Sequence, residues 1–231
     1  VEVGAGLGTL TKRILTAVPA GRLVALERDA AMHQVLATEL GGCANLELWL
    51  GDAVAFDLAA VAARAGRPII VAGNLPYQIS SPMLRRLEEG WRFIRRAVFM
   101  LQREVAARLV AAAGSDDYGS LSVMLPLHYD VRLVTRVART AFVPSPKVES
   151  AVVLLETRAE PRVPVADETA LGHVVRAAFN QRRKTLRNAL RAVAPVAAVE
   201  TALAAAGIDG QRRGETLDLA EFARLAAALR A

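Results

Sequence analysis

The chain has 231 residues, of which 53% are hydrophobic and 23% are charged, so it is not a disordered protein and can build the core of one or two domains. The single cysteine excludes a disulfide framework, and together with three scattered histidines it predicts no metal site. No apolar run approaches the ~20 residues of a membrane helix. We therefore expect a cytoplasmic protein without a membrane partner. The net charge of +6 favours an anionic partner. Almost all of the positive side chains are arginines, which suit phosphate contacts, although a GC-rich coding sequence produces the same arginine bias.

Short apolar runs alternate with helical patterns over the first two thirds of the chain. Strands are predicted at residues 1–3, 22–26, 46–50, 68–72 and 97–101. Helices are predicted between them, at residues 7–18, 30–40, 59–65, 81–88 and 103–112. This alternation is typical of an α/β fold with a mostly parallel, twisted sheet. Two more β-like runs, 131–137 and 150–156, are predicted to pair as an antiparallel hairpin at its edge.

The two ends of the chain differ in character. The opening "VEVG" is typical of the second half of a buried strand, so further residues are expected upstream of it. Near the other end, "ETRAEPRVPVADE" predicts a linker, and the residues after it show only helical periodicity. Asp218 and Glu221 have the spacing of a capping box for the last helix. We therefore expect an α/β domain over residues 1–158 and a small all-helical domain over residues 159–231.

A glycine turn follows the first strand and opens the first helix. Gly4, Gly6 and Gly8 form a G-x-G-x-G pattern, which lets the backbone turn sharply and approach a ligand closely. The dinucleotide fingerprint requires G-x-G-x-x-G, and Thr9 occupies its third glycine position here. The turn therefore favours a nucleoside-type cofactor without a pyrophosphate, above all S-adenosylmethionine. The alternative is a turn needed only for packing.

Two carboxylates follow at the ends of the next strands. Glu27 ends the second strand, where an open α/β fold places an acid against ribose hydroxyls. Asp52 ends the third strand and is suited to accept a hydrogen bond from an adenine amino group. Each alone is more often a loop carboxylate, and Asp29 is better explained as a helix N-cap. Together with the glycine turn they predict cofactor binding at the carboxyl edge of the sheet.

The fourth strand runs into "NLPY" at the same edge. The Asn74 side-chain oxygen and the Pro76 backbone carbonyl are predicted to hold the two hydrogens of an exocyclic amine, so that its lone pair points at a sulfonium methyl group. Tyr77 is predicted to stack on the base. A methylated amine loses its proton easily, so this chemistry rests on orientation and electrostatics rather than on a general base.

A second stacking ring is expected on energetic grounds. Extruding a base from a stack costs a few kcal/mol, and one aromatic ring returns roughly 1–3 kcal/mol. Phe142, in "TAFVPSPKVES", is the candidate because its neighbouring prolines hold it on an ordered loop. The alternative for Phe142 is a core position beneath the edge hairpin.

These motifs together resemble those of the ribosomal RNA small-subunit adenine dimethyltransferases, in the Rossmann-like methyltransferase superfamily. The resemblance spans nearly the whole chain and is most specific in "GNLPYQISSPML", "FMLQREVAARL", "FVPSPKVESAVV" and "AFNQRRKTLRNAL". It implies methyl transfer from S-adenosylmethionine to N6 of two adjacent adenosines near the 3′ end of small-subunit rRNA, each dimethylated during subunit assembly. The family's N-terminal segment, with a Gln-Asn-Phe-Leu type motif that helps to close the cofactor pocket, lies outside this sequence.

The resemblance also implies roles for individual residues. The positions that match cofactor contacts are Gly4, Glu27, Asp52 and Asn74. The positions that match the target-base pocket are Asn74, Pro76, Tyr77 and Phe142.

A basic cluster is predicted to bind the rRNA partner. Arg182, Arg183, Lys184 and Arg187 lie within one or two predicted helical turns, as expected of a patch for RNA phosphates. The alternative for this cluster is a solvated helix face.

We expect the whole chain to be a monomer, and two other functions stay open for it. One is a macrolide-resistance methyltransferase acting on large-subunit rRNA, and the other is a non-catalytic assembly or transcription factor.

Overall fold

Strands and helices alternate through most of the computed structural model, which describes residues 1–143 and 145–230. The strands are β1 (Glu2–Val3), β2 (Leu23–Glu27), β3 (Leu46–Leu50), β4 (Ile69–Asn74), β5 (Ile94–Gln102), β6 (Tyr129–Val137) and β7 (Ser150–Thr157). The helices are α1 (Thr9–Ala17), α2 (Ala30–Leu40), α3 (Leu58–Ala65), α4 (Tyr77–Glu89), α5 (Arg103–Leu109), α6 (Ser120–His128), α7 (Glu168–Asn180), α8 (Leu186–Ala189), α9 (Val196–Ala206) and α10 (Leu219–Ala228). No helix in the described part of the chain is long and apolar enough to cross a membrane.

Local side-chain chemistry fixes several helix ends. Asp29 caps α2 by accepting hydrogen bonds from the backbone N–H groups of Ala31 and Met32, as the sequence predicted. Asp218 and Glu221 form the predicted capping box of α10. Each cap satisfies backbone donors that the first helical turn leaves free, so these helices begin where the sequence places an Asp.

The seven strands form one sheet in the order β3-β2-β1-β4-β5-β7-β6. The pairs from β3 to β5 are parallel, and β7 runs antiparallel to β5. The predicted parallel sheet with an antiparallel edge is therefore confirmed. The strand order reverses at β1, whose neighbours are β2 and β4. In open α/β sheets such a switch point leaves a crevice at the carboxyl ends of the strands, where ligands bind.

Two compact units divide the described chain. The first contains residues 1–106 and 130–157, and its buried sheet residues include Val3, Val71 and Phe99. The second contains residues 107–129 and 158–231 and is built from helices. Its C-terminal part begins at Arg158, one residue from the division that the sequence predicted.

The helical unit also takes in α6, which the sequence analysis did not predict. Leu127 and Val123 of α6 belong to the same buried cluster as Leu171, Leu203 and Phe222. The Leu127 carbonyl accepts a hydrogen bond from the Arg162 backbone N–H, which ties the linker to this helix. The helix "SLSVMLPLH" is apolar on most sides and contains a proline, so it shows no amphipathic period that identifies it in the sequence.

We predict that Gly73→Ala destabilises the protein because β1 and β4 approach each other closely at this residue. A Cβ at Gly73 would collide with the Val3 carbonyl oxygen and lie 3.2 Å from Leu75 Cδ2. Overpacking of this kind costs about 1–3 kcal/mol, which urea unfolding would measure. Gly42→Ala is the control, since nothing lies within 4 Å of a Cβ there. Equal stability of the two variants would contradict the proposed close approach.

Candidate active site

The glycine turn lies against the "NLPY" segment at the switch point of the sheet. Gly4 and Gly6 adopt left-handed φ angles of 74° and 57°, which favour glycine. A Cβ at Gly4 would lie 3.5 Å from Pro76 Cδ and 3.7 Å from the Asn74 backbone oxygen. A Cβ at Gly6 would have nothing within 4 Å. The two segments therefore meet at one edge, and Gly6 borders open space.

Glu27 holds the glycine turn from the end of β2. One of its carboxylate oxygens accepts a hydrogen bond from the Gly6 N–H at 2.7 Å. The other accepts from the Arg28 and Asp29 N–H groups, both at 2.8 Å. The residue is only 8% exposed. The carboxylate is thus buried but paired, and the oxygen facing Gly6 keeps one acceptor position for a further donor.

Asp52 lies in an exposed turn after β3. Its side chain accepts a hydrogen bond from the Val54 N–H at 2.9 Å, and its backbone carbonyl accepts from the Ala55 N–H at 3.0 Å. The Gly51 N–H donates to the Glu27 carbonyl at 2.9 Å, which ties this turn to the end of β2. Glu27 and Asp52 therefore end adjacent parallel strands at the same edge as the glycine turn.

The "NLPY" segment presents two unengaged side chains to solvent. Asn74 is exposed at the last position of β4, and its amide makes no hydrogen bond to the described residues. Tyr77 is 45% exposed in the first turn of α4, where Pro76 is the N-cap residue. The ring is therefore available for a planar ligand beside the Asn74 amide.

The hydrogen bonding of the backbone carbonyls in this segment differs from the prediction. The Pro76 carbonyl accepts hydrogen bonds from the Ile79 N–H at 3.1 Å and from the Ser80 hydroxyl at 3.3 Å. Both of its lone pairs are used inside α4, so it is not available to hold an amine. The Leu75 carbonyl, in contrast, accepts no hydrogen bond within the described chain. The helix predicted at residues 81–88 begins instead at Tyr77, and its first turn therefore engages the Pro76 carbonyl.

Phe142 is half-buried on the loop that joins β6 to β7. Its backbone N–H donates to the Arg139 carbonyl at 3.3 Å, and the Ser145 hydroxyl donates to the same carbonyl at 3.0 Å. No ring contact joins Phe142 to Tyr77 across the residues described. Its assignment as the second stacking ring stays a prediction.

Three residues of the predicted basic cluster, Arg182, Arg183 and Lys184, lie in the turn between α7 and α8, whereas Arg187 lies in α8. Arg182 pairs with Glu215 at 2.6 Å, and Arg187 pairs with Glu200 at 2.6 Å. Arg183 and Lys184 are exposed and form no ion pair with any described residue. Only these two cations of the predicted four are therefore free to bind an external anion.

Two buried polar residues beneath the glycine turn were missed. Glu2, in β1, is 1% exposed, and Thr11, in α1, is fully buried. Burial raises the pKa of the Glu2 carboxyl, while the facing Thr11 hydroxyl partly offsets that rise. The hydroxyl and carboxyl face each other outside hydrogen-bond geometry, and neither Glu2 Oε2 nor Thr11 Oγ1 has a described partner. The acid within the apolar run "VEVG" was the available sequence signal.

The site contains no described cluster of three or more His, Cys, Asp or Glu side chains able to hold a metal ion. The polar groups that converge at this edge are instead an amide, a backbone carbonyl and two carboxylates. Such a set binds hydrogen-bond donors, including hydroxyls and amines.

Comparison with known proteins gives a consistent set of relatives. A family described as ribosomal RNA adenine dimethylase matches residues 1–230. A curated relative from Myxococcus xanthus, "Ribosomal RNA small subunit methyltransferase A", is 46% identical over 233 residues, which cover 99% of this chain and 80% of that protein. A protein of the same name from Geobacillus thermodenitrificans is 42% identical over 237 residues, with coverages of 99% and 80%.

Two solved structures share the fold over most of their length. A dimethyladenosine transferase from Plasmodium falciparum gives a TM-score of 0.76 at 24% identity and covers 97% of this chain and 86% of its own. The 23S rRNA methyltransferase ErmE gives a TM-score of 0.67 at 27% identity, with coverages of 100% and 90%. The likeness to the first of these concerns the fold alone.

We predict that Glu27→Gln weakens the glycine turn even without a ligand. The amide offers one acceptor oxygen where the carboxylate offers two, so at least one N–H donor is left unsatisfied, at a cost of about 1–3 kcal/mol. Chemical unfolding without cofactor would measure this loss, and a cofactor titration would show weaker binding. Glu39→Gln is the control, because Glu39 forms a half-exposed ion pair with Lys12. A Glu27→Gln variant as stable as that control would contradict the role of Glu27 in holding the glycine turn.

Proposed function

This chain belongs to the ribosomal RNA adenine dimethylase family, and from that premise we propose that it dimethylates N6 of two adjacent adenosines near the 3′ end of small-subunit rRNA. The donor is S-adenosylmethionine, which supplies an electrophilic methyl group on a sulfonium. The observation that carries the mechanism is the close approach of the glycine turn to "NLPY", where a Cβ at Gly4 would lie 3.5 Å from Pro76 Cδ. A donor held by the turn and an amine held by Asn74 then meet at one sheet edge.

The residues at the switch point fit a nucleoside cofactor. Gly6 borders open space, so the backbone can approach the donor closely. Glu27 keeps one acceptor position on a buried carboxylate, which suits a ribose hydroxyl. Asp52 keeps a free carboxylate oxygen in the next turn, which suits an adenine amino group. Gly4 and Asn74 close the site on the side of β4.

Asn74 and the Leu75 carbonyl hold the target amine in our proposal. The Asn74 side-chain oxygen accepts one N6 hydrogen, and the Leu75 backbone oxygen accepts the other. The two acceptors favour a more tetrahedral nitrogen, whose lone pair forms the new N–C bond as the S–C bond breaks. The proton then leaves the cationic nitrogen for solvent. Pro76 contributes by starting α4 at a fixed φ, which holds the two acceptors in place.

Aromatic stacking holds the extruded base. Tyr77 lies three residues after Asn74 and is 45% exposed, so its ring is available to cover one face of an adenine whose amine reaches the amide. Phe142 covers the other face in our proposal. Two rings at roughly 1–3 kcal/mol each offset the few kcal/mol that base extrusion costs.

The helical unit supplies the contact to the rest of the RNA. Arg183 and Lys184 are the free cations of its basic turn, and a phosphate backbone is their natural ligand. Arg182 and Arg187 support the turn through their ion pairs with Glu215 and Glu200. We propose that the protein acts as a monomer on the assembling small subunit.

Methylation of large-subunit rRNA is the second candidate function. The fold similarity to ErmE favours it. The small-subunit function is better supported, because the curated relatives with the higher sequence identity carry small-subunit names. A non-catalytic factor on this fold has no need of the unengaged Asn74 amide and Leu75 carbonyl.

The function is tested by incubating the complete protein with immature small subunits and cofactor carrying a labelled methyl group. We expect label in N6,N6-dimethyladenosine at two adjacent positions near the 3′ end, located by mass spectrometry of the rRNA. Label confined to large-subunit rRNA would favour the second candidate. No label in either RNA would favour the non-catalytic factor.

We predict that Tyr77→Ala lowers methyl transfer about 10- to 100-fold, since removal of a stacking ring forfeits roughly 1–3 kcal/mol of base binding. Cofactor affinity should change by less than about twofold, because the ring lies outside the glycine turn. Methyl-transfer kinetics and a cofactor titration measure the two effects. Tyr77→Phe is the control and should keep most activity. Equal losses of transfer and cofactor affinity in Tyr77→Ala would remove the stacking role.

A further inference from the structure

A polar cleft of about 380 Å³ lies beside the loop that carries Phe142. It is lined by Arg103 and Glu104 at the start of α5, by Arg139, and by residues 147–149 ahead of β7. We propose that this cleft binds the RNA phosphodiester next to the target adenosine, with Arg139 and Lys147 as its ligands. The inference rests on the proposed function, which it extends to a specific backbone contact.

The antiparallel pairing of β5 and β7 brings the residues at the floor of the cleft together. The ladder between these strands ends with Gln102 opposite Ser150. One residue further along, the Arg103 N–H donates to the Glu149 carbonyl at 2.9 Å, and the two side chains pair at 3.5 Å. The floor of the cleft is therefore fixed by the sheet rather than by a free loop.

The charged side chains that line the cleft leave a net charge of +1, because Arg103, Arg139 and Lys147 are positive and Glu104 and Glu149 are negative. Arg103 and Glu149 neutralise each other, and Glu104 adds one negative charge. Arg139 and Lys147 are exposed and form no ion pair with residues 1–143 or 145–230. A guanidinium binds two phosphate oxygens through parallel N–H groups, and an ammonium adds a point charge. A singly charged phosphodiester matches this pair.

The cleft shares a turn with Phe142, the second stacking ring in our proposal. The Arg139 carbonyl accepts hydrogen bonds from the Phe142 N–H and the Ser145 hydroxyl, so Arg139 and the stacking ring belong to one hydrogen-bonded turn. A base rotates out of its stack about its own backbone, so its phosphates stay close to the mouth of the pocket. Cations on the turn that carries Phe142 are therefore placed to fix those phosphates.

The test compares Arg139→Gln and Lys147→Gln with wild type in binding to small-subunit rRNA over a range of salt concentrations. Each substitution should reduce the slope of log K against log salt by about 0.7–1, because one counterion fewer is released. Affinity near 0.15 M salt should fall roughly fivefold for each. The KM for rRNA should rise by a similar factor, with kcat and cofactor affinity unchanged.

Arg136→Gln is the matched control. Arg136 is exposed, lies three residues before Arg139, and does not line the cleft. A salt slope unchanged in this control and reduced in the two cleft variants would support the phosphate site. Equal slopes in all three variants would overturn it, whether or not wild type methylates small-subunit rRNA. A wild type that binds this RNA without methylating it would instead contradict the proposed function.

Discussion

The structure depends on the close contact between the glycine turn after β1 and the residues that end β4. Both segments use glycine here: a Cβ at Gly73 would collide with the Val3 carbonyl, and Gly4 has a left-handed φ of 74°. Because strand order reverses between these two strands, the contact coincides with the one crevice that the topology leaves open at the carboxyl edge. In our proposal, the donor and acceptor subsites are neighbours for this reason.

The surrounding elements keep this contact rigid. Glu27 ties the glycine turn to the end of β2 by accepting a hydrogen bond from the Gly6 N–H, and the Arg28 and Asp29 N–H groups hold its other carboxylate oxygen. On the other side, α4 starts immediately after Pro76, and the Ile79 N–H and Ser80 hydroxyl of its first turn donate hydrogen bonds to the Pro76 carbonyl. What remains unengaged is the Asn74 amide and the Leu75 carbonyl. In our proposal, the site binds an amine through the acceptors that the helix leaves unengaged.

The sequence revealed the parts of this arrangement that depend on short-range pattern. The strands, the edge hairpin, the Asp29 cap and the gathering of Gly4, Glu27, Asp52 and Asn74 at one edge follow from periodicity and from strand ends. Three features depended on contacts between distant segments and were missed. The start of α4 at Tyr77 engages the Pro76 carbonyl. Salt bridges from Glu215 and Glu200 pair two of the four basic residues, and α6 packs into the core of the helical unit.

The central claim is that one sheet edge holds both the methyl donor and the amine. A crystal structure of the complete protein with S-adenosylhomocysteine and adenosine tests it most directly. We predict the adenine N6 about 3 Å from both the Asn74 side-chain oxygen and the Leu75 carbonyl, with its ring against Tyr77 and the sulfur beside the glycine turn. An adenine bound away from Asn74, or a cofactor sulfur on another edge of the sheet, would contradict the account.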